Sequence, residues 1–208
     1  MGTVWLNELS LTDAVESSVD ALSAGKILLY PTDTTFALGV DALNPAAIDA
    51  LFAAKRRSQA KSLSVCFASA DHALLEVEES PLVWRLAESL LPGPVTILAR
   101  RKGDRYHALA PTSDLLGFRV PDHPFCLALA AAFERPFTAT SANLSGGPEA
   151  VTGEAALALA AEIGPDLLFS VLEEKTRYAM PSTIIDASGT EAKVLRPGPI
   201  SETEVLAV

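Results

Sequence analysis

Hydrophobic residues in the first part of the chain follow two different spacings. In residues 11–24 the apolar positions recur at helical spacing, and Gly25 follows at the place where helices often end on glycine. Residues 26–31, KILLYP, then hold a short apolar run that stops at Pro31, which is typical of a buried strand. The pattern therefore predicts a helix followed directly by a strand.

The same two spacings continue along the rest of the chain. They predict further helices at residues 45–55, 82–91, 122–133 and 152–162, the first of them introduced by the capping pair Asn44-Pro45. They predict further strands at residues 36–42, 62–68, 95–100, 117–120, 136–143, 166–172, 182–188 and 193–196. Because several strands follow one another without an intervening helix, the pattern favours a mixed α/β sheet over a purely parallel one.

Composition narrows the class of protein. A chain of 208 residues fits one large domain or two small ones, and 49% hydrophobic residues suffice for a sizeable core. The longest apolar runs, such as residues 127–133, are too short and too rich in alanine to span a bilayer, and the first ten residues lack the pattern of a secretory signal. Cys66 and Cys126 are far apart and form no metal-binding or disulfide pattern. We therefore expect a cytoplasmic protein with two free thiols.

The charge distribution points to a local anion site. The chain has 16 Lys+Arg against 26 Asp+Glu, a formal charge of −10, which argues against broad binding of nucleic acid. Residues 55–61, KRRSQAK, nevertheless contain four basic side chains. Lys55 and Arg57 are two positions apart, so on an extended segment they would point the same way, and arginine can hold a carboxylate or phosphate with two hydrogen bonds. The alternative is a solvated helix end.

Three other segments combine hydroxyl groups with isolated arginines. They contain Thr32 and Thr34 in PTDTT, Thr140, Ser141 and Asn143 in TATSANLSGG, and Ser182, Thr183 and Arg196 in PSTIID and LRPGPI, with Arg119 alone on an apolar strand. Taken singly, each segment is also explained by turns, strand caps or surface residues. The sequence contains no nucleophile elbow, P-loop or zinc motif. The chemistry that it favours is therefore anion handling by cations and hydroxyl groups.

Seven short motifs occur in an order that resembles one family. They are YPTDT, K-x-R-x-x-x-K, PGPVT, RVPDHP, SAN-x-SG, PSTIID and RPG, between about residue 20 and residue 200. In this order the chain resembles the threonylcarbamoyl-AMP synthase family, which has the YrdC-like fold. The resemblance implies a single domain, residues 1–208, with a twisted open sheet of mixed parallel and antiparallel strands. Helices would flank this sheet around a large concave, positively charged cavity.

The resemblance also implies an activity and a set of site residues. Members of the family make threonylcarbamoyl-AMP and pyrophosphate from L-threonine, bicarbonate and ATP, for the t6A modification of tRNA; ATP is a substrate and Mg²⁺ is expected with it. The family's catalytic set falls on Lys55, Arg57, Ser141 and Asn143. Substrate-binding roles fall on Thr32, Thr34, Lys61, Arg119, Thr140, Ser182, Thr183 and Arg196, and no residue is assigned as a metal ligand.

One segment departs from the family pattern and keeps an alternative open. Many members have tyrosine-glycine-leucine where this chain has Phe36-Ala37-Leu38. The alternative is a paralogue of the same fold that binds nucleotide or double-stranded RNA without threonine-dependent synthase activity. Expected partners are the three substrates and proteins of the t6A pathway, with no membrane. Binding of tRNA or double-stranded RNA would be weak and salt-sensitive because of the charge of −10.

Overall fold

A computed structural model describes residues 10–163 and 175–208, together with the backbone of residues 167–169. Of the strand predicted at residues 166–172, residues Leu167–Phe169 form a strand and the remainder lies outside the described residues. The first nine residues, on which the expectation about a secretory signal rests, also lie outside them. Among the described residues, no helix combines the length and apolar character that crossing a membrane would require.

Most helices begin where the sequence offers a side-chain cap. Ser10, Asn44, Ser69, Ser80 and Ser201 each accept a hydrogen bond from a backbone N–H in the first turn of the helix that follows. The helices are α1 Leu11–Ser23, α2 Pro45–Ala54, α3 Ala70–Leu74, α4 Pro81–Leu90, α5 Pro124–Phe133, α6 Gly153–Ile163 and α7 Glu202–Leu206. The five helices predicted from spacing are confirmed, and the short helices α3 and α7 are additional.

The described strands form two mixed sheets. They are β1 Ile27–Tyr30, β2 Ala37–Gly39, β3 Val65–Cys66, β4 Val95–Arg100, β5 Leu115–Arg119, β6 Phe137–Thr138, β7 Thr140–Ser141, β8 Leu167–Phe169, β9 Thr183–Asp186 and β10 Lys193–Arg196. One sheet has the order β7-β2-β1-β8 and the other β10-β9-β4-β5-β3-β6. Strands β1 and β8, β3 and β5, and β4 and β9 are parallel, and the other pairs are antiparallel. The predicted mixed α/β architecture is confirmed.

The chain passes from one sheet to the other between β6 and β7. Strand β6 pairs with β3 in the six-stranded sheet, whereas β7 pairs with β2 in the four-stranded sheet, and Ala139 alone separates them. The segment that carries Thr140, Ser141 and Asn143 therefore leaves the larger sheet at a fixed point. This crossing places the segment beside the face of the six-stranded sheet described below.

Strand β1 is buried along its whole length, which fixes the loop that follows it. Tyr30 is fully buried, donates a hydrogen bond from its hydroxyl to the backbone oxygen of Thr138 at 2.9 Å, and packs edge-on against Phe137. Helices α1 and α5 pack against each other beside this strand, with Leu22 and Phe125 in the same cluster of buried side chains. The PTDTT segment therefore starts from a rigid point in the core.

The glycine of LRPGPI allows the chain to approach the start of β9 closely. A Cβ atom on Gly198 would lie 2.3 Å from the backbone nitrogen of Thr183 and 2.7 Å from the backbone oxygen of Pro181. These are backbone atoms, so the clash can be relieved only by moving the strand.

We expect Gly198→Ala to lower the free energy of unfolding by about 3 kcal/mol, the upper part of the range for overpacking. Gly189→Ala is the matched control, because a Cβ there would meet nothing within 4 Å, and we expect a change within about 0.5 kcal/mol. Urea unfolding of the two variants measures both values. Equal stability of the two variants would contradict the close approach at Gly198.

Candidate active site

A cavity of about 330 Å³ lies on one face of the six-stranded sheet. Thr96 and Leu98 of β4, and Leu115, Gly117 and Arg119 of β5, are spaced by two and therefore share this face. The other lining residues come from neighbouring segments: Thr35, Arg57, Ser62, Leu63, Ser64, Ser113, Ala139, Thr140, Ser141, Pro181, Ser182, Ile184, Leu195 and Arg196. The volume lies at the lower end of the range for small-molecule sites.

The polar lining of the cavity is cationic and rich in hydroxyl groups. Arg57, Arg119 and Arg196 contribute three guanidinium groups, and no aspartate or glutamate occurs among the described residues that line the cavity. Serine and threonine hydroxyls stand between the arginines. In a partly enclosed site, guanidinium groups bind carboxylates and phosphates through charge-assisted hydrogen bonds. The cavity is therefore suited to anionic ligands.

Arg119 reaches the cavity from a buried ion pair. Its Nη2 donates to Asp33 Oδ1 at 2.7 Å and to Thr34 Oγ1 at 3.1 Å, and both charged side chains are buried. The buried Nε of Arg119 has no hydrogen-bond partner among the described residues. A buried donor without an acceptor is unfavourable. This unpaired donor is enclosed by protein, so it is an unfavourable feature of the arrangement that holds Arg119 against Asp33.

The PTDTT segment supports Arg119 rather than facing the cavity with all its threonines. Thr32 Oγ1 donates to the backbone oxygen of Thr35 at 2.6 Å and accepts the backbone N–H of Thr34 at 3.1 Å, which forms a tight turn. Thr32 and Thr34 do not line the cavity, whereas Thr35, which the sequence did not single out, does. Thr32 therefore stabilises a turn, which is the alternative that the sequence left open for this segment. Thr34 instead accepts a hydrogen bond from Arg119.

Lys55 is buried at the end of α2 and binds the loop that carries Ser141 and Asn143. Its Nζ donates to the backbone oxygen of Ser141, to the backbone oxygen of Asn143 at 2.8 Å and to Asn143 Oδ1 at 3.0 Å. These three acceptors use all three N–H groups of the ammonium form. Burial, and to a smaller extent the nearby Arg57, lower the pKa of Lys55 to about 7. Lys55 does not line the cavity.

The basic segment is not extended, so the geometric reason for pairing Lys55 with Arg57 is wrong. Lys55 has helical backbone angles and Arg56 has φ of 49°, so the chain turns sharply between them. Arg57 lines the cavity and donates from Nη2 to the backbone oxygen of Ser62 at 2.8 Å. Burial lowers the pKa of Arg57. Lys61 is exposed and lies outside the cavity lining, as expected for a solvated segment.

The SAN loop is fixed by its own side chains as well as by Lys55. Ser141 Oγ donates to Asn143 Oδ1 at 2.9 Å, and Asn143 Nδ2 donates to the backbone oxygen of Gly147 at 2.8 Å. Thr140 and Ser141 line the cavity, and Asn143 lies behind them. Asn143 and Lys55 therefore position the loop, and Ser141 is the member of the predicted catalytic set that faces the cavity from it.

The two C-terminal motifs meet at Ser182 and Arg196. Arg196 donates from Nε and Nη2 to the backbone oxygen of Ser182 at 3.1 and 2.9 Å, and both side chains line the cavity. Thr183 lies outside the lining, and its hydroxyl donates to the backbone oxygen of Ile200 at 2.8 Å. Thr183 thus joins β9 to the segment after Gly198 instead of facing the site.

Several lining residues are not among the candidates from the sequence, and the departure from the family pattern lies outside the lining. Ser64, Thr96 and Gly117 also line the cavity; Thr96 closes the PGPVT motif, whereas only the period-two spacing of the predicted strands could have indicated Ser64 and Gly117. Phe36 is fully buried in the larger core cluster and does not line the cavity. The change at Phe36-Ala37-Leu38 therefore lies in the core beside the site.

The residues of the cavity do not fit a metal held by the protein. Within the described part of the chain there is no group of three or more histidine, cysteine, aspartate or glutamate residues that could hold a metal ion. The lining residues offer hydroxyl and guanidinium groups, whereas Mg²⁺ in proteins is usually bound through carboxylates, waters and substrate phosphates.

Comparison with known sequences identifies relatives along most of the chain. A family profile of the Sua5, YciO and YrdC proteins, described as "Telomere recombination", matches residues 20–198. Threonylcarbamoyl-AMP synthase of Vibrio campbellii is 32% identical over 186 residues, which cover 88% of this chain and 98% of that protein. The human threonylcarbamoyl-AMP synthase is 41% identical over 138 residues, 64% of this chain. The alignment spans 48%, about half, of the human relative's length.

Solved structures have the same fold. A double-alanine variant of P. abyssi Sua5 matches all of this chain and 60% of that chain, with a TM-score of 0.90 and 25% identity. P. abyssi Sua5 complexed with L-threonine matches 92% of this chain and 56% of that chain, with a TM-score of 0.84 and 27% identity. The structure of E. coli YciO, with a TM-score of 0.82, 20% identity and 93% of each chain covered, supports the fold alone. With the profile matching residues 20–198, the chain belongs to the Sua5, YciO and YrdC family, which includes the threonylcarbamoyl-AMP synthases.

Proposed function

We propose that this protein is an L-threonylcarbamoyladenylate synthase, which forms threonylcarbamoyl-AMP and pyrophosphate from L-threonine, bicarbonate and ATP. The observation that carries the proposal is the cavity lined by three arginines and many hydroxyl groups without a carboxylate. The threonylcarbamoyl-AMP synthases among its relatives support it, as does the L-threonine complex of a related Sua5. The product would serve the t6A modification of tRNA.

The charges of the substrates explain why such a cavity is needed. ATP, bicarbonate and the threonine carboxylate are all anionic, and two like charges 4 Å apart repel by about 4 kcal/mol at an effective dielectric constant near 20. Arg57, Arg119 and Arg196 surround the cavity and offset this repulsion. Their planar guanidinium groups also fix the orientation of carboxylate and phosphate oxygens.

The reaction needs positioning rather than a covalent nucleophile. The threonine nitrogen attacks the bicarbonate carbon, an N–C bond forms, and the displaced oxygen leaves as water after taking up the protons. A carbamate oxygen then attacks the α-phosphorus of ATP, and the bond from that phosphorus to the leaving pyrophosphate breaks. Arginines and hydroxyls that are fixed before the substrates arrive lower both barriers by orientation and charge stabilisation.

The residues divide into those that contact substrate and those that position them. In this proposal Arg57, Arg119, Arg196, Ser141 and Ser182 contact phosphate or carboxylate oxygens, because they line the cavity. Thr140 also lines it and supplies a further hydroxyl. Lys55 and Asn143 act through the SAN loop, Thr34 acts through Arg119, and Thr32, Thr183 and Lys61 support neighbouring backbone or solvent contacts. Mg²⁺ would enter with ATP and neutralise phosphate charge.

The proposed cellular setting follows from the product and the charge of the chain. Threonylcarbamoyl-AMP would be passed to proteins of the t6A pathway in the cytoplasm. Direct binding of tRNA would be weak and would weaken further with salt, because a chain with a formal charge of −10 opposes the phosphate backbone. The cavity itself is sized for small anions rather than for a duplex.

The experiment that tests the proposal measures pyrophosphate release and identifies the nucleotide product by mass spectrometry. Reactions contain ATP, Mg²⁺ and bicarbonate, with L-threonine, without it, or with L-valine, which has nearly the same shape but lacks the hydroxyl group. We expect release that requires both L-threonine and bicarbonate and that yields threonylcarbamoyl-AMP. Nucleotide binding without threonine-dependent release would overturn the proposal in favour of a paralogue that shares the fold.

A further inference from the structure

Glu149 lies outside the lining of the cavity but places a carboxylate near Arg196. Glu149 Oε1 lies 3.7 Å from Arg196 Nη1, a contact that joins the segment after the SAN loop to strand β10. The Glu149 side chain is 21% exposed and the Arg196 side chain 38% exposed. The two groups are close enough to attract each other, but the separation is longer than that of a direct hydrogen bond.

Each partner is held in place by contacts other than this ion pair. Ala150, next to Glu149, donates its N–H to the backbone oxygen of Ala142 at 2.9 Å and accepts the N–H of Phe36 at 2.8 Å. Arg196 is held by its donation to the backbone oxygen and hydroxyl of Ser182. Removing the charge of Glu149 should therefore leave Arg196 where it is.

The charge of Glu149 also acts on the cations around it. It raises the pKa of Lys55 and of Arg196, against the larger effect of burial, which lowers both. Glu149 thus places one negative charge beside two of the positive groups that hold or line the cavity. An anionic ligand at Arg196 meets repulsion from this carboxylate and must compete with it for the guanidinium group.

We propose that Glu149 competes with phosphate groups for Arg196, limiting the affinity for ATP and hastening the release of pyrophosphate. The assignment of ATP and pyrophosphate rests on the proposed function, whereas the competition for Arg196 applies to any polyphosphate. Without this carboxylate, Arg196 would bind the phosphate groups of substrate and product more tightly. One weak, partly exposed ion pair moderates that binding without blocking the site.

The expected effect is modest and has a definite direction. Partly exposed ion pairs are weak, so freeing Arg196 with Glu149→Gln should tighten the binding of pyrophosphate and ATP by about two- to fivefold. The dependence of binding on salt should become steeper, because one more uncompensated cation meets the ligand. In turnover, the KM for ATP should fall, and pyrophosphate should inhibit at lower concentration.

The test is isothermal titration of inorganic pyrophosphate, and separately of ATP, into the full chain. Glu154→Gln is the matched control, because it makes the same change of net charge on an exposed side chain of α6. Glu149→Asp keeps the negative charge but moves it farther from Arg196. Its affinity for pyrophosphate should therefore lie closer to that of the wild type than to that of Glu149→Gln. In an Arg196→Gln background, Glu149→Gln should have no further effect, since the group for which it competes is gone. Circular dichroism and thermal unfolding establish that each variant is folded.

Each outcome supports or overturns the proposal. Tighter pyrophosphate binding in Glu149→Gln alone, abolished in the Arg196→Gln background, supports it. Equal affinity in the Glu149→Gln and Glu154→Gln variants, or weaker binding in Glu149→Gln, overturns it; weaker binding would mean that Glu149 orients Arg196 for the ligand. Because pyrophosphate binding needs no threonine, this result stands apart from the threonine-dependent release that tests the proposed function.

Discussion

Replacing Lys55 with methionine should lower threonine-dependent pyrophosphate release by about 100-fold or more, the scale of losses from displaced catalytic groups. Methionine fills a similar length of side chain but donates no hydrogen bond, so the backbone oxygens of Ser141 and Asn143 lose their partner. The loop would then no longer hold Ser141 against the cavity. Steady-state assays with saturating L-threonine and bicarbonate measure the loss, and circular dichroism establishes that the variant is folded.

Lys61→Met is the matched control for this prediction. It removes the same charge from the same basic segment, but Lys61 is exposed and outside the cavity lining. We expect its activity to stay within about twofold of the wild type, as for surface substitutions in general. A loss in Lys61→Met as large as that in Lys55→Met would mean that the charge of the whole segment matters, rather than the contacts of Lys55.

The pH dependence gives a second readout of the same change. With a pKa of about 7, Lys55 loses its third N–H as the pH rises through that value, while three oxygens still surround it. The activity ratio of wild type to Lys55→Met should therefore fall between pH 6 and pH 9, because other titrating groups cancel in the ratio. A constant ratio would show that the three acceptors keep Lys55 charged throughout this range.

The elements of the fold were predictable where the sequence carried both spacing and caps. Helix α2 begins at Pro45 after the cap Asn44, as the residue pair predicts. Helices α3 and α7 have only five residues each, too few for a spacing to show, although Ser201 and Glu204 form a capping box at the start of α7. The passage from one sheet to the other at Ala139 left no sequence signal, because pairing partners are set by contacts far apart in the chain.

The site was predictable by segment and less so by side chain. All the singled-out segments contribute to the cavity or to its immediate support, because hydroxyls, arginines and glycines at strand ends are what an anion site needs. Which side chain faces the cavity depends on strand phase: Ser182 and Thr183 are adjacent, so they point to opposite faces. Similarly, Arg56 with φ of 49° separates Lys55 from Arg57, and no spacing rule reveals such a turn.

Replacing Asp33 with asparagine should lower the free energy of unfolding by about 3–5 kcal/mol, the range for breaking a buried ion pair. Asparagine keeps the shape of the side chain but removes the charge that pairs with Arg119 at 2.7 Å. Asp33 is fully buried and Arg119 nearly so, so the guanidinium group would stay charged beside neutral acceptors only, the amide oxygen at position 33 and Thr34 Oγ1. Urea unfolding of the variant and the wild type measures the difference.

The control is Asp122→Asn, which breaks an ion pair with Arg177 in which both side chains are about half exposed. We expect it to change the free energy of unfolding by no more than about 1 kcal/mol, as for other surface pairs. If Asp33→Asn were as mild as this control, water in the cavity would have to compensate the charge of Arg119, and the pair would contribute little to folding.

Adding pyrophosphate tests whether the Arg119–Asp33 ion pair serves only stability or also keeps Arg119 positioned to bind a ligand. Arg119 lines the cavity, so an anion bound there can offset part of the positive charge that the missing carboxylate leaves. A ligand that binds only the folded state stabilises it in proportion to its affinity. Pyrophosphate should therefore recover more unfolding free energy in Asp33→Asn than in the wild type. Arg119 would then link the stability of the fold to the binding of an anionic ligand. Asp33 would neutralise the charge of Arg119 in the protein without ligand.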